Sequence, residues 1–233
     1  MRLPRTGIFL AMLAAALILF LPLRLALGWL ALDGLSARAV SGSIWMGRLR
    51  DARFRGVPLG DIDMGLGVMP LLLGQARFAL RGEKDGERRI DGAVSIGWRG
   101  PAIRGLSAHL GAGGAFAPLP ISSLDLADVD LRFRSGRCLE AGGLVKAGTG
   151  GDMAGIALPG GLSGTIRCEA GDLLLPLVSQ SGTEQVVLRL RGDGRYTGEL
   201  IVRPTNAETR GGLIAAGFIP GAEGYRLAVE GRL

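Results

Sequence analysis

Apolar and polar residues alternate repeatedly along the chain after residue 60. In the stretch GDIDMGLGV, apolar side chains occupy every second position, and Asp or Gly fills the positions between them. Successive side chains of a β-strand point to opposite faces, so this pattern predicts a strand with one buried and one solvated face. At least five segments show it, and their predicted inward-facing residues are Ile62, Met64, Leu66 and Val68; Ile90, Val94, Ile96 and Trp98; Val129, Leu131 and Phe133; Val186, Leu188 and Leu190; and Tyr225, Leu227, Val229 and Leu233.

Turn residues separate these segments. Asp-Gly pairs at residues 85–86 and 193–194 lie between alternating runs, a strong hairpin signal because the tight turn demands positive φ. The 40 glycines among 233 residues are spread along the chain, which favours short strands over long helices. The predicted fold is therefore all-β: a strongly curved, mainly antiparallel sheet, sandwich-like or a partly closed barrel.

Few segments interrupt this β pattern. Residues 69–75 are apolar, but Pro70 and Gly74 limit them to little more than a turn. The alternation lapses at residues 111–120, 146–161 and 203–212, where we expect long surface connections. Evidence for a helix after the N-terminal segment is thin.

The N-terminal segment is strongly apolar. Residues 7–23 carry no charge, and after Arg24 the apolar character resumes as LALGWLAL. About 20 helical residues span a hydrocarbon core of roughly 30 Å, so residues 7–32 are predicted to form one transmembrane signal-anchor helix. Arg2 and Arg5 precede it, and the positive-inside preference then places residues 1–6 in the cytoplasm and exports residues 33–233 as a single β domain.

A cleaved leader peptide is the alternative for this segment. The small residues of Ala26–Gly28 suit a signal peptidase, yet the apolar run is longer than the roughly 7–15 residues of a signal-peptide core. An uncleaved anchor is therefore favoured, with Trp29 at the membrane interface.

Cysteine usage agrees with export. Cys138 and Cys168 are the two cysteines, an even number in a chain with an export signal. We therefore predict a disulfide between them, the alternative being two buried free thiols.

Motifs for phosphate binding or nucleophilic catalysis are incomplete. Gly42 and Gly47 have a spacing like that of a Walker loop, but Arg48 and Leu49 replace the Lys and Ser/Thr that contact phosphate and magnesium. His109 is the single histidine and is interpreted as a loop residue, so histidines cannot build a two-His metal site. Ser107 nearby lacks the surroundings of a catalytic nucleophile.

Charged residues fall on the predicted solvated faces. Asp61 with Asp63, and Asp128 with Asp130, lie two residues apart and share a strand face, but each pair is opposite an apolar face and is interpreted as solvated. The net charge of +6 comes from single arginines that alternate with apolar residues, so nucleic acid is not an expected partner. We expect no catalysis, no cofactor and no metal.

The stretch VSGSIWMGRL, with PLG and PLLLG after it, resembles the type II secretion system protein N family (general secretion pathway protein N) of Gram-negative bacteria. The matching positions include Gly42, Trp45, Gly47, Pro58, Gly60, Pro70 and Gly74. We interpret these as structural: Trp45 would pack the first strand, while Gly42 and Gly47 would allow a bend or a close approach.

This resemblance implies a non-catalytic accessory component of the type II secretion system. It would be a single-pass inner-membrane protein whose C-terminal periplasmic domain contacts other secretion subunits, for example by strand addition. The alternative is an AsmA-like envelope protein whose apolar groove binds or transfers lipid. An outer-membrane barrel is disfavoured, because it would need aromatic girdles and the chain has 2 Tyr.

Overall fold

The fold is taken from a computed structural model of the chain. It describes residues 9, 12–13, 16, 19–30, 34–54, 57–84, 87–111, 119, 121–150, 161–204 and 207–232.

Strands account for most of the described residues. In chain order they are Leu35–Ser36 (β1), Ala39–Gly42 (β2), Gly47–Phe54 (β3), Val57–Leu66 (β4), Gln75–Lys84 (β5), Glu87–Gly97 (β6), Ala102–Gly111 (β7), Ile121–Arg134 (β8), Arg137–Thr149 (β9), Leu162–Thr165 (β10), Arg167–Glu169 (β11), Asp172–Ser179 (β12), Glu184–Leu190 (β13), Arg195–Val202 (β14), Ile219–Gly221 (β15) and Gly224–Arg232 (β16).

All sixteen strands belong to one antiparallel sheet. Its order is β1-β3-β4-β5-β6-β7-β8-β9-β10-β12-β13-β14-β16-β15, with β2 paired to β3 and β11 paired to β12. From β3 to β9 each strand pairs antiparallel with the next in sequence. The all-β, antiparallel prediction is confirmed. The strands form one sheet, and this sheet does not close.

The sheet is strongly curved. β4 contacts β7 although β5 and β6 lie between them in the sheet. Antiparallel neighbours lie about 4.8 Å apart, so three spacings of a flat sheet would separate these strands by roughly 14 Å. The sheet therefore bends over its own apolar face.

Helices with described bounds are Leu23–Leu30 (α1), Val68–Leu72 (α2) and Ala207–Ala215 (α3), and residues 9, 12–13, 16 and 19 are also helical. α2 has five residues, which agrees with the short turn expected at residues 69–75. α3 corrects the expectation of an irregular connection at 203–212. Its Leu213 is fully buried and packs with Phe218 against the sheet, so tertiary packing stabilises a helix that contains two glycines.

Two apolar clusters lie along the curved face. The larger one extends from β8 to β14 and includes the fully buried Leu177, Val186 and Leu188. The smaller one joins Leu23 of α1 to Leu49, Ala52, Ile62, Ile90 and Ala108. The alternating pattern therefore locates most inward positions correctly, because one face of each strand contacts the core and the other contacts solvent.

Trp98 is an exception to that pattern. Its predicted inward position is wrong: it lies in the turn after β6, and its side chain is 70% exposed. Val68 likewise leaves the strand face, because β4 ends at Leu66 and Val68 begins α2. Leu233 and the Asp-Gly turn at 85–86 lie outside the described residues, whereas the hairpin at 191–194 forms as predicted.

The N-terminal segment is only partly described. Within the part of the chain that the structure describes, no helix combines the length and apolar character needed to cross a bilayer. Residues 1–8, 10–11, 14–15, 17–18 and 31–32 of the predicted cytoplasmic and anchor segments lie outside the described residues.

Candidate functional site

A wholly apolar cavity lies between α1 and the curved face of the sheet. Its volume is about 380 Å³, within the range of small-molecule sites. Six neighbouring strands, β3 to β8, contribute to its wall, which requires the curl described above. The lining residues are Leu23, Ala26, Leu27, Leu35, Leu49, Phe54, Leu59, Ile62, Met64, Phe78, Leu80, Val94, Ile96, Pro101, Ala102, Ile103, Leu131 and Phe133.

The α1 helix forms one wall of this cavity. Leu23 is 1% exposed and belongs to the smaller core cluster, and Leu27 packs against the same cluster. Just before the helix, Pro22 forms an antiparallel bridge with Ser43, and the Ile44 N–H donates to the Leu21 carbonyl at 3.1 Å. The final part of the apolar N-terminal segment is therefore integrated into the β domain.

The hairpin at residues 39–54 contains the motif VSGSIWMGRL. β2 and β3 pair from Ala39 opposite Arg50 to Gly42 opposite Gly47, and residues 43–46 form the turn. Gly42 has φ +84°, a left-handed conformation that favours glycine. A Cβ on Gly47 would overlap the Leu23 side chain, so glycine permits the close approach of α1.

The turn at residues 43–46 places Ile44 and Trp45 in different surroundings. Ile44 is the buried residue, at 7% exposure, whereas Trp45 is half-buried beside Gly65 and Arg77 on the opposite face. The Ile44 backbone joins this turn to its neighbours, since its N–H donates to the Leu21 carbonyl and its carbonyl accepts the Leu66 N–H at 2.9 Å.

The other motif residues are distributed over two adjoining elements. Pro58 and Gly60 lie in β4, where its pairing with β3 changes register. Pro70 lies within α2, and Gly74 follows the residue that ends it. The structure thus brings Gly42, Trp45 and Gly47 together and places Pro58 and Gly60 further along the same pair of strands.

The two cysteines lie at disulfide distance. The Cα atoms of Cys138 and Cys168 are 5.5 Å apart, and their sulfur atoms are close enough to bond. Cys138 lies in β9, whereas Cys168 lies in the three-residue β11, which pairs with β12 outside the main strand order. A bond here would hold β11 against β9.

Acidic residues of the predicted outer face have structural partners. Asp63 forms a bidentate ion pair with Arg48, whose guanidinium lowers the pKa of that carboxyl. Asp61 Oδ1 accepts the Asp51 N–H at 2.9 Å, and Asp130 Oδ1 accepts the Gly105 N–H at 3.0 Å. These carboxylates hold bulged strands together. Among the described residues, no group of three or more His, Cys, Asp or Glu forms a candidate metal centre.

His109 is a strand residue, which corrects its interpretation as a loop residue. It lies in β7 opposite Asp125 of β8, and its Nδ1 contacts the Asp125 carboxylate. Both side chains are half exposed, as expected for a cross-strand pair on a solvated face.

One strand edge of the sheet is open. β15 pairs with β16 at Gly224, Tyr225 and Arg226 only, so the outer side of β16 from Leu227 onward has no strand partner among the described residues. The Arg191 N–H donates to the Arg195 carbonyl, so the backbone N–H and C=O groups of Arg195 point toward β13. Along β14 the backbone groups of odd-numbered residues therefore point toward β13, and those of even-numbered residues point toward β16. It follows from the register that the backbone groups of Ala228 and Glu230 point to the open side.

These features can now be compared with known proteins. A family model described as "Type II secretion system (T2SS), protein N" matches residues 33–228. The chain belongs to this family. The expected resemblance is thereby confirmed, and the T2SS protein N match covers every strand from β1 through most of β16.

A T2SS protein N relative also matches directly. The protein named "Type II secretion system protein N" from Vibrio cholerae serotype O1 (strain ATCC 39315 / El Tor Inaba N16961) is 30% identical over 146 residues. The match spans 58% of this chain and 58% of that relative. No solved structure matches the chain.

The cavity was not predicted as a defined set of residues. Leu23, Ala26 and Leu27 were included in the predicted membrane helix, so their role as a wall was missed. Pro22 was the available signal, because proline interrupts a helix and marks a boundary inside the apolar run.

Proposed function

We propose that this protein is an inner-membrane-anchored accessory component of the type II secretion system that acts through protein contacts in the periplasm. Membership of the T2SS protein N family supports a role in this secretion system. The proposed role needs no catalysis, which agrees with the structural use of the carboxylates described above. The proposed domain boundaries are residues 1–6 in the cytoplasm, 7–32 as the anchor segment, whose residues from Pro22 onward pack on the sheet, and 33–233 in the periplasm.

The exposure of N-terminal side chains supports the anchor. Phe9, Met12, Leu13, Leu19 and Phe20 are between 46% and 75% exposed. The Phe20 N–H donates to the Ala16 carbonyl at 3.0 Å, as in a helix. Lipid would cover these apolar side chains, and α1 would then be the point where the anchor joins the β domain.

The open side of β16 is the single observation that best supports a protein contact. Leu227 and Val229 pack inward against the larger cluster, while Ala228 and Glu230 direct backbone donors and acceptors outward. An extended segment of another secretion subunit would pair with these groups and continue the sheet.

Ala228→Pro in the full-length protein tests this contact. Proline removes the outward N–H of β16 and leaves the hydrogen bonds to β14 in place. In cells lacking the native gene, we expect this variant to be present in the inner membrane but to restore less secreted enzyme than the wild type. The matched control Ala228→Ser keeps the N–H and should secrete normally.

Two results would count against the proposal. Normal secretion by a stably expressed Ala228→Pro variant would exclude strand addition at β16. Normal secretion after deletion of the gene, or recovery of the protein away from the inner membrane, would remove the secretion role or the anchor.

The apolar cavity supports a second candidate function, lipid binding. Its wall consists of apolar residues throughout, and Phe54 and Ile96 are partly exposed at its margin. Such a lining suits an acyl chain, since burial of each CH₂ contributes about 0.8 kcal/mol. One acyl chain of a phospholipid would lie between α1 and strands β3 to β8.

A phospholipid with a photoreactive acyl chain would distinguish cavity binding from contact with the anchor. We expect cross-links on cavity residues such as Phe78 and Val94 in addition to the N-terminal segment. Ala26→Phe, on the face of α1 that carries Leu23 and Leu27, fills the cavity and should remove the first set of cross-links, whereas Ala79→Phe on the exposed face should retain both. Cross-links confined to residues 7–22 in the wild type would refute lipid binding in the cavity.

A further inference from the structure

One end of the sheet carries a cluster of exposed apolar side chains. β3 and β5 begin at this end, and β4 and β6 finish there, so the turns between β2 and β3, β4 and β5, and β6 and β7 lie side by side. Six apolar side chains in these turns are between 57% and 83% exposed. We call the cluster the apolar lip; it consists of Met46, Val68, Met69, Leu72, Leu73 and Trp98.

The local structure keeps these side chains outside the core. α2 is only five residues long and contains no buried residue. Gly74, with φ +74°, lets the chain turn back into β5 directly after Leu73. A contiguous exposed apolar patch of this kind marks a contact with a partner or a membrane.

Arginines lie immediately beside the apolar lip. A groove of about 180 Å³ contains four arginines and no acidic side chain, and its lining residues are Gln75, Arg77, Ser95, Gly97, Arg99, Gly100, Ala102, Arg104 and Arg132. The Arg99 guanidinium stacks 4.6 Å from the centre of the Trp98 ring. Glu140 pairs with Arg104 at 3.8 Å and Arg132 at 3.0 Å, so one carboxylate offsets part of this charge.

The apolar N-terminal segment enters the β domain at the same end. Leu21 and Pro22 bond to Ile44 and Ser43, in the same turn as Met46. Residues 7–20, which precede this junction, carry no charge. If this segment is anchored in the bilayer, the junction holds the apolar lip at the membrane surface.

We propose that the apolar lip inserts into the surface of an anionic phospholipid bilayer and that the adjacent arginines bind its phosphate groups. Exposed Met and Leu side chains enter the acyl boundary, Trp98 lies at the level of the headgroups, and Arg99 beside it meets the anionic charge. This inference rests on the proposed anchor, because the anchor keeps the lip at the membrane.

A fluorophore at Leu72 tests the depth of the lip. The chain has two cysteines and they lie at disulfide distance, so Leu72→Cys introduces one thiol for a polarity-sensitive dye. The full-length protein is reconstituted into vesicles of phosphatidylcholine and phosphatidylglycerol that contain brominated acyl chains. We expect quenching of the Leu72→Cys label and none at Ile219→Cys, which is similarly exposed on β15 at the sheet edge.

The lipid charge provides a second arm of the experiment. Quenching at Leu72→Cys should weaken when phosphatidylglycerol is omitted, or when Arg77→Gln and Arg99→Gln are combined. A reconstituted protein whose Leu72→Cys label is not quenched would overturn the lip proposal while the anchor stands. A protein that does not remain with the vesicles at all would instead overturn the anchor. Equal quenching at both labelled positions would show non-specific adsorption and also refute the proposal.

Discussion

Gly47 lies directly against the side chain of Leu23, and this contact fixes the position of α1 on the sheet. A Cβ at Gly47 would also lie 3.0 Å from the Ser43 carbonyl oxygen. The Leu23 side chain and the turn backbone therefore leave no room for a side chain at position 47. The contact links the VSGSIWMGRL hairpin to one wall of the apolar cavity.

Gly47→Ala should therefore displace α1. Forced overpacking typically costs about 1–3 kcal/mol, so we expect a lower melting temperature and faster hydrogen exchange in α1. Gly28→Ala is the matched control: a Cβ added at Gly28 would meet no atom of the described residues within 4 Å, and alanine favours a helix over glycine. Unchanged exchange in Gly47→Ala would contradict the proposed packing of α1.

Leu188 tests the core of the larger cluster. It is 0% exposed in β13, and its neighbours on the sheet are Leu175 and Gly198. Leu188→Ala should lower the free energy of unfolding by about 2–5 kcal/mol, measured by chemical denaturation, because it leaves a cavity. Leu72→Ala removes the same atoms from a 77% exposed side chain and should change the stability little. Equal effects of both substitutions would mean that Leu188 is not a core residue.

The period-two pattern predicted the strand-rich fold because the alternation of apolar and polar residues reflects which side chains are buried and which are exposed to solvent. Ile62, Ile90 and Val129 are buried as expected, each below 5% exposure. The pattern does not encode how far a sheet bends, which depends on the sum of many small twists and bulges. For that reason the pattern predicts a strongly curved antiparallel sheet but leaves a sandwich-like and a partly closed arrangement open, whereas the strands form one sheet that does not close.

The errors at individual residues have a common cause. Trp98 and Val68 continue an alternating run past the end of their strands, where the backbone changes direction and the face assignment no longer holds. The sequence did not predict α3, because its two glycines lower the helix propensity of this segment. The helix is stabilised by packing of Leu213 against the core, which is a tertiary contact that the local sequence does not show. The cavity depends on residues from β1, from β3 to β8 and from α1, a combination that no local pattern contains.

The Cys138–Cys168 pair should form a disulfide in the exported protein. The sequence separation is 30 residues, for which the loop-entropy model gives a stabilisation of roughly 3.5 kcal/mol. Thiol titration of denatured, unreduced protein should find no free thiol, and Cys138→Ser with Cys168→Ser should melt at a lower temperature. Detection of two free thiols in protein taken from the cell envelope would refute the pairing.

Glu184 should make stability depend on pH at the start of β13. Partial burial by itself raises its pKa, but hydrogen bonds from its partners in the preceding turn outweigh this and lower the pKa below the ordinary value. Thr183 Oγ1 donates to Oε1 at 2.7 Å and Ser181 Oγ donates to Oε2 at 2.9 Å, while the Glu184 N–H donates to Ser179 Oγ at 3.2 Å.

A lowered pKa in the folded state gives stability that is present above the ordinary pKa of glutamate and is lost as the pH falls through the folded value. The free energy of unfolding should therefore decrease on acidification into that range, and it should decrease less steeply in Glu184→Gln. Gln185→Ala changes the next residue of β13 without removing a carboxylate and serves as the control, whose pH profile should keep the wild-type slope. Parallel profiles for the wild type and Glu184→Gln would show that the hydroxyl partners do not favour the ionised carboxylate.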